Sequence, residues 1–385
     1  MVPKLRFKEF CGEWEEKRLG EIMYSFDYGM NSAAIEYDGK NKYIRITDID
    51  ENSHKYINKN RVSPSGKLED KYIVRKNDIL FARTGASTGK TYLYNENDGS
   101  LYFAGFLIRG NVKKEYNSYF VFSQTLTDKY NKWVALTSIR SGQPGINSNE
   151  YSGYKIKVPS LSEQTKIGDF LSTVDDKIQN QQDKITHLEN IKKGFMQRIF
   201  SRKIRFKDDG GEEFSEWKEK KLGEFMIIPN KEKIDTIDNN KLLSVRLHLE
   251  GVEKNKNTSS LKLGSTIYYK RKSGQFIYGK QNFFNGAFGI IPKELDGFLS
   301  SGDVPSLDIK KEKIIPQYLM HYLGRKSFYK AQEKLSAGTG SKRIHENTLL
   351  NIIIKTPCLK EQQKIADFLA SFDEKISIEK ETLEH

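Results

Sequence analysis

The sequence predicts an α+β molecule: two globular mixed α/β domains separated by two long antiparallel coiled-coil helices, related by a pseudo-twofold axis. Three observations predict it. A repeat recurs 198 residues along the chain, both copies of one repeated segment carry an apolar seam, and the positive charge is confined to two blocks between the repeats. A length of 385 residues is enough for two or three domains that each bury a core. No apolar run approaches the ~18 residues of a membrane span, so no membrane association is expected. Only two cysteines, Cys11 and Cys358, are present, without metal-ligand spacing, which suits a reducing cytoplasm.

Residues 1–23 are a short repeated element: Lys4-Leu5-Arg6-Phe7-Lys8 returns as Lys203-Ile204-Arg205-Phe206-Lys207. Within the same element, Trp14 with Leu19-Gly20-Glu21 returns as Trp217 with Leu222-Gly223-Glu224. A diverged block, 24–158, comes next, then a helical segment, 159–202. The second copy runs as element 203–224, block 225–356 and helical segment 357–385. The segment "PSLSEQTKIGDFLSTVDDKI" (159–178) returns as "PCLKEQQKIADFLASFDEKI" (357–376). A period this long marks a duplicated domain, because solenoid units are far shorter.

In the first helix Ile167, Leu171, Val174, Ile178, Gln181, Ile185, Leu188, Lys192, Phe195 and Ile199 alternate by four and three. That is a coiled-coil seam with two polar interruptions. The second copy places Ile365, Leu369, Phe372, Ile376, Glu379 and Leu383 on the same seam, so the two helices are expected to pair. Ser160 and Glu163 predict a capping box at the start of the first helix. The second copy ends at His385, which aligns with His187, so it lacks a counterpart of "LENIKKGFMQRIF": either the helix is truncated there or the chain continues beyond the given residues.

Charge separates blocks from frame. Residues 24–158 hold 20 Lys and Arg against 14 Asp and Glu, and residues 225–356 hold 22 against 12. The three remaining segments carry net charges of 0, 0 and −3, so the whole excess of +13 lies in the blocks. Both blocks are also rich in Tyr, Phe, Asn, Gln, Gly and Ser, as in "YYKRKSGQFIYGKQNFFNG" (268–286). Basic groups neutralise phosphates, while amides, hydroxyls and guanidinium groups read base edges. A charge run is commonly a solvated face; its confinement to the diverged blocks points instead to nucleic acid.

The stretch "RTGASTGKTYLY" (83–94) imitates two catalytic motifs. A phosphate-binding loop needs four residues between its first glycine and Gly-Lys, whereas three separate Gly85 from Gly89. Both that loop and a G-x-S-x-G nucleophile elbow must open a helix. Thr91-Tyr92-Leu93-Tyr94 is instead β-branched and aromatic, so the segment predicts strand, loop and strand, with Asp78–Ala82 as the incoming strand. The hairpin is either plain structure or the same structure offering Arg83, Thr84, Ser87 and Lys90 to DNA. No catalytic residues and no metal site are predicted. The nine prolines are never adjacent, which excludes an Asn-Pro-Pro-Tyr type methyltransferase motif, and the six histidines show no ligand spacing.

Two diverged blocks alternating with two helices that begin P-x-L-x-E-Q-x-K-I-x-D-F-L resemble the specificity subunits of Type I restriction-modification systems. "GEWEEKRLGE", "SEWKEKKLGE" and "NDILFARTG" fit the same pattern, and the resemblance covers essentially the whole chain. It implies that each block is a target recognition domain for one half of a split site in double-stranded DNA. It implies too that the helices set the gap and carry two methyltransferase subunits, to which restriction-translocase subunits attach. The cofactors S-adenosylmethionine and ATP would then act on those partners, with none on this chain. The short second helix departs from the pattern and bears on whether the partner surface is complete.

Each block also ends in a polar loop: "RSGQPGINSNE" (140–150) and "SAGTGSKRIHEN" (336–347), with Ile146 aligned to Ile344 and Asn147 to His345. The DNA-contact candidates are therefore Arg83, Thr84, Ser87, Lys90, Arg140, Ser141, Gln143 and Asn147 in the first block. In the second they are Tyr269, Lys270, Arg271, Lys272, Gln275, Lys280, Gln281, Ser341, Lys342, Arg343 and His345. The competing reading is an adaptor or RNA-binding protein with two basic domains on a coiled-coil spacer.

Overall fold

Each diverged block hangs from a neck of two short antiparallel strands. In the computed structural model, residues 3–140, 142–230, 234, 238–256, 266–336 and 342–384 are described, and the chain divides into two units, Met1–Gln179 and Asn180–His385. In unit 1 the neck pairs Glu15–Arg18 with Lys155–Val158; in unit 2 it pairs Lys218–Lys221 with Ile353–Thr356.

The repeated Leu-Gly-Glu beyond the first strand of each neck has a physical reason. Leu19 and Leu222 are buried at the start of one-turn helices, Leu19–Ile22 and Leu222–Phe225. Glu21 and Glu224 turn back to accept from the backbone N–H of Arg18 and Lys221, at 2.7 and 3.0 Å. This satisfies one of the donors that a helix start leaves open. Gly20 sits at a close approach: a Cβ there would displace Ser152 Oγ, 2.1 Å away, and would crowd the Ser152 carbonyl oxygen at 3.3 Å.

Inside the blocks the two units share one sheet topology. In unit 1 the antiparallel order is Met23–Tyr28, Leu107–Val112, Asp78–Ala82, Thr91–Leu93. In unit 2 it is Met226–Ile227, Ser306–Ile309, Phe276–Tyr278, Phe288–Ile290. The strand Asp78–Ala82 is buried throughout. Ile79 and Phe81 face one hydrophobic cluster while Leu80 and Ala82 face another, as the two-residue period of a strand demands. Phe276 and Tyr278 against Ile277 repeat that division in unit 2.

The two long helices are Leu161–Phe200 and Leu359–Glu384. Their shared Glu-Gln motif ties each one to its own unit. Glu163 takes a two-pronged ion pair from Arg6 at 2.7 Å on both prongs, and Glu361 takes one from Arg205 at 3.2 and 2.9 Å. This corrects the capping box: Ser160 does accept from the Glu163 N–H at 3.4 Å, but the Glu163 carboxylate is committed to Arg6. The adjacent glutamines bridge two chain segments. Gln164 donates to the Pro159 carbonyl and accepts from Asn117 N–H, and Gln362 does the same with Pro357 and Ile315.

Within unit 2 the end of the first long helix pairs with the second. Gln181 donates to the Glu379 carbonyl and carboxylate at 2.8 and 2.6 Å, Lys192 pairs with Asp373, and Phe195 packs edge-on against Phe368 at 5.0 Å. Partner numbers fall as the first set rises, so the helices are antiparallel. Two of the three polar seam positions, Gln181 and Glu379, meet each other and so fix the register, since a slip would break their bonds. Ile185, Ile365, Leu369 and Ile376 are buried, and Leu188, Phe372 and Leu383 are partly so. In unit 1 Ile167 packs on the core and Leu171 is partly buried. Val174 and Ile178 depart from the expected buried seam, with 37% and 42% of their surface exposed.

Candidate nucleic-acid interface

In unit 1 the strand Asp78–Ala82 delivers Arg83 to the start of a hairpin loop that closes on Thr91–Leu93. Gly85 and Gly89 stand at φ +82° and +92°, the left-handed region where a side chain is strained. They are turn residues leading into a strand rather than a helix, so the phosphate-loop and nucleophile-elbow readings have no structural support. The distant loop 142–147 joins this hairpin. Gly85 N–H donates to the Pro144 carbonyl at 3.0 Å, and Ile146 N–H donates to the Arg83 carbonyl at 2.9 Å.

The joined loops form one wall of a cleft of about 540 Å³. Thr84, Ser87 and Gln143 line it, together with Asn31, Arg45, Thr47 and Phe106. Nothing in the sequence marks those last four, because segment 31–47 and Phe106 reach the cleft only through the fold. Arg45 is aimed by Asp48, with two contacts at 2.8 Å. The Arg83 guanidinium lies over the Tyr28 ring, 4.8 Å from its centre.

Three candidates move away from a ligand. Lys90 is buried, donating to the Ile49 carbonyl at 3.0 Å and pairing with Glu51 at 2.5 Å. Arg271 is buried among Ser300 Oγ, Ser306 Oγ and the carbonyls of Ser301 and Val304, and burial lowers its pKa to about 10. Gln275 is buried too, donating to Asp308 at 2.7 Å and accepting from Lys272 N–H and Ser306. Two others have local duties. Arg140 clamps Glu150 at 2.6 and 2.7 Å, and Asn147 caps the helix Ser148–Gly153. Ser141 and Ser341 lie outside the described residues.

Unit 2 repeats the scaffold of this wall with other side chains. Ile344 N–H donates to the Lys280 carbonyl at 3.0 Å, as Ile146 does to Arg83. Lys280 N–H donates to the Asp303 carbonyl as Arg83 N–H does to Phe106, and Gly279 N–H to Ala287 as Ala82 N–H does to Lys90. Lys280 is therefore the counterpart of Arg83 and Gln281 that of Thr84, an equivalence hidden by the divergence of the two blocks. Around this point Lys280 pairs with Glu346 at 3.0 Å, Arg343 with Asp303 at 3.0 Å and Lys342 with Glu333 at 2.8 Å. Lys270, Lys272, Gln281 and His345 are exposed, and Tyr269 is half-buried beside the Arg271 guanidinium.

Among the described residues there is no group of three or more His, Cys, Asp and Glu side chains able to hold a metal ion. No described helix is long and apolar enough to cross a membrane.

The chain is similar along its whole length to known proteins. It is 27% identical to the Type I restriction enzyme MjaVIII specificity subunit of Methanocaldococcus jannaschii over 411 residues, covering 98% of this chain and 92% of that one. It is 25% identical to the putative Type I restriction enzyme MjaX specificity subunit of the same organism, covering 99% and 92%. Its fold is similar to the crystal structure of the Type-I restriction-modification system S subunit from M. genitalium, with a TM-score of 0.63 at 14% identity, covering 100% of this chain and 95% of that chain. The family model for the Type I restriction modification DNA specificity domain matches residues 12–190 and again 214–385. With both copies of its repeat matched in this way, the chain belongs to the Type I restriction modification DNA specificity domain family.

Proposed function

We propose that each unit reads one half of a split duplex-DNA site, that the paired helices set the gap between the halves, and that the chain positions two methyltransferase subunits without performing chemistry itself. One observation carries this reading. The loops at Arg83–Ile146 and Lys280–Ile344 keep the same backbone bonds while their side chains differ. A scaffold held constant under changing polar groups is what reading two different sequences requires. The confinement of the positive excess to the two blocks supports the same reading. S-adenosylmethionine and ATP would be used by the partner subunits, and restriction-translocase subunits would join through them.

The test is methylation mapping in cells that express the chain with its modification subunits. Thr84→Ala combined with Gln143→Ala removes two groups from the unit 1 cleft. Losing a good base contact costs about 1–3 kcal/mol, so one half-site should weaken or relax by at least about fivefold while the other half stays fixed. Unchanged methylation, or equal change in both halves, would refute the assignment of one half-site per unit. Titration of the complex against duplex DNA, duplex RNA and a simple polyanion separates this reading from an RNA-binding or adaptor role.

A further inference from the structure

Phe106 leaves 64% of its surface exposed on the rim of the unit 1 cleft. A ring in that position loses the gain that burying it would bring. It is also held there. Gly105 N–H donates to the Met30 carbonyl at 2.8 Å, Leu107 N–H to the Ala104 carbonyl at 2.8 Å, and Arg83 N–H to the carbonyl of Phe106 itself at 3.0 Å. The segment just after the strand Met23–Tyr28 packs tightly against this turn: Gly29 N–H donates to the Leu107 carbonyl at 3.1 Å, and a Cβ on Gly29 would sit 2.1 Å from the Ala104 carbonyl oxygen. The backbone thus displays the ring on a tight, immobilised turn, beside Thr84 and Gln143.

The counterpart position in unit 2 is Asp303, which receives the same backbone bond from Lys280 and pairs through its carboxylate with Arg343 at 3.0 Å. One scaffold position therefore presents an aromatic ring in one unit and a carboxylate with its guanidinium in the other. A carboxylate repels a phosphate chain, while a rigid exposed ring favours the face or step of a base.

We propose that Phe106 is the apolar reader of unit 1, its ring lodging against the bases at one step of the half-site and partly unstacking them. That half-site would then be selected by its deformability as well as by hydrogen bonds. The proposal rests on the assignment of DNA reading to unit 1.

The experiment uses the full chain assembled with its modification subunits and duplexes carrying 2-aminopurine at successive positions of the first half-site. With the native chain, fluorescence should rise at one step. Phe106→Ala should abolish that rise and weaken binding to the specific duplex by about 10- to 100-fold. It should leave non-specific affinity and the salt slope unchanged, because the ring neutralises no phosphate. Phe106→Trp should restore both signals. Since the side chain is exposed, the Ala variant should melt at the native temperature, which separates loss of contact from loss of fold. Binding within about twofold of native with the fluorescence rise intact overturns the proposal. Loss of subunit assembly at unchanged DNA affinity also overturns it, by assigning the ring to a protein partner. A native complex that shows no preference for its methylated site refutes the DNA-reading assignment itself, and does so before any variant is made.

Discussion

At the scale of single residues, Arg271 shows how charge in a sequence divides between structure and surface. Lys270, Arg271 and Lys272 read as one basic cluster, yet the middle side chain turns inward while its neighbours stay exposed. The sequence did not separate them; the strand Tyr268–Lys270 ends just before Arg271, and side chains of an extended segment alternate in direction, which places Arg271 opposite Lys270. Truncating Arg271 removes a charged donor from two buried serine hydroxyls and leaves the Ser301 and Val304 carbonyls only Val304 N–H and Ser300 Oγ. Arg271→Ala should therefore destabilise unit 2 by about 3 kcal/mol, read as a lower urea midpoint. Lys270→Ala and Lys272→Ala should stay within about 0.5 kcal/mol of native stability. If they meet phosphates, each should reduce the steepness of log affinity against log salt by about 0.9. The glutamate of the repeated Glu-Gln motif carried no signal either. Its partners, Arg6 and Arg205, stand more than 150 residues away, so only the fold shows that the two repeated motifs clasp each other.

At the scale of elements, the helices were the most legible part of the chain. A four-three apolar rhythm leaves a helix little choice, and both the long helices and the Gln181–Glu379 meeting come from it. The element packed beside them in unit 2 was not foreseen. His321, on the helix Pro316–Leu323, lies 3.9 Å from Asp373 and shares that carboxylate with Lys192. Burial, reinforced by Lys192 and opposed by Asp373, pulls its pKa from 6.5 down to about 4. The folded chain thus holds this imidazole neutral at pH values where the unfolded chain protonates it. Stability is complete above pH 6.5, falls as the pH drops toward 4, and levels off below that. A loss of roughly 3 kcal/mol is expected across the window. Urea titrations at about pH 7 and about pH 4.5 should show a gap for the native chain that narrows in His321→Gln. An equal gap in both would assign the acid sensitivity to other groups.

At the scale of the whole molecule, the duplication was legible because frame residues contact frame residues in both copies and so stay alike. On the proposed reading the blocks meet half-sites that differ, and their correspondence is visible in strand order and backbone bonds rather than in the sequence. The proposed spacing role of the helices makes a quantitative statement. Four residues inserted beside Gln181 and four beside Glu379 nearly preserve the seam, because a helical turn takes ~3.6 residues, and lengthen the pair by ~6 Å. Against ~3.4 Å per base pair, the unread gap should grow by one or two pairs while both half-sites keep their sequence. Methylation mapping decides it, and an active complex that keeps the original gap removes the ruler.

The necks carry a consequence for inheritance. Arg18 lies opposite Lys155, and Lys221 opposite Ile353, so each block leaves the frame beside the point where it began. A stretch of chain whose two ends meet in space can be exchanged without moving anything outside it. On the proposed reading, a lineage carrying this frame would acquire new vocabulary by replacing one word at a time, while the grammar that joins the words stays fixed.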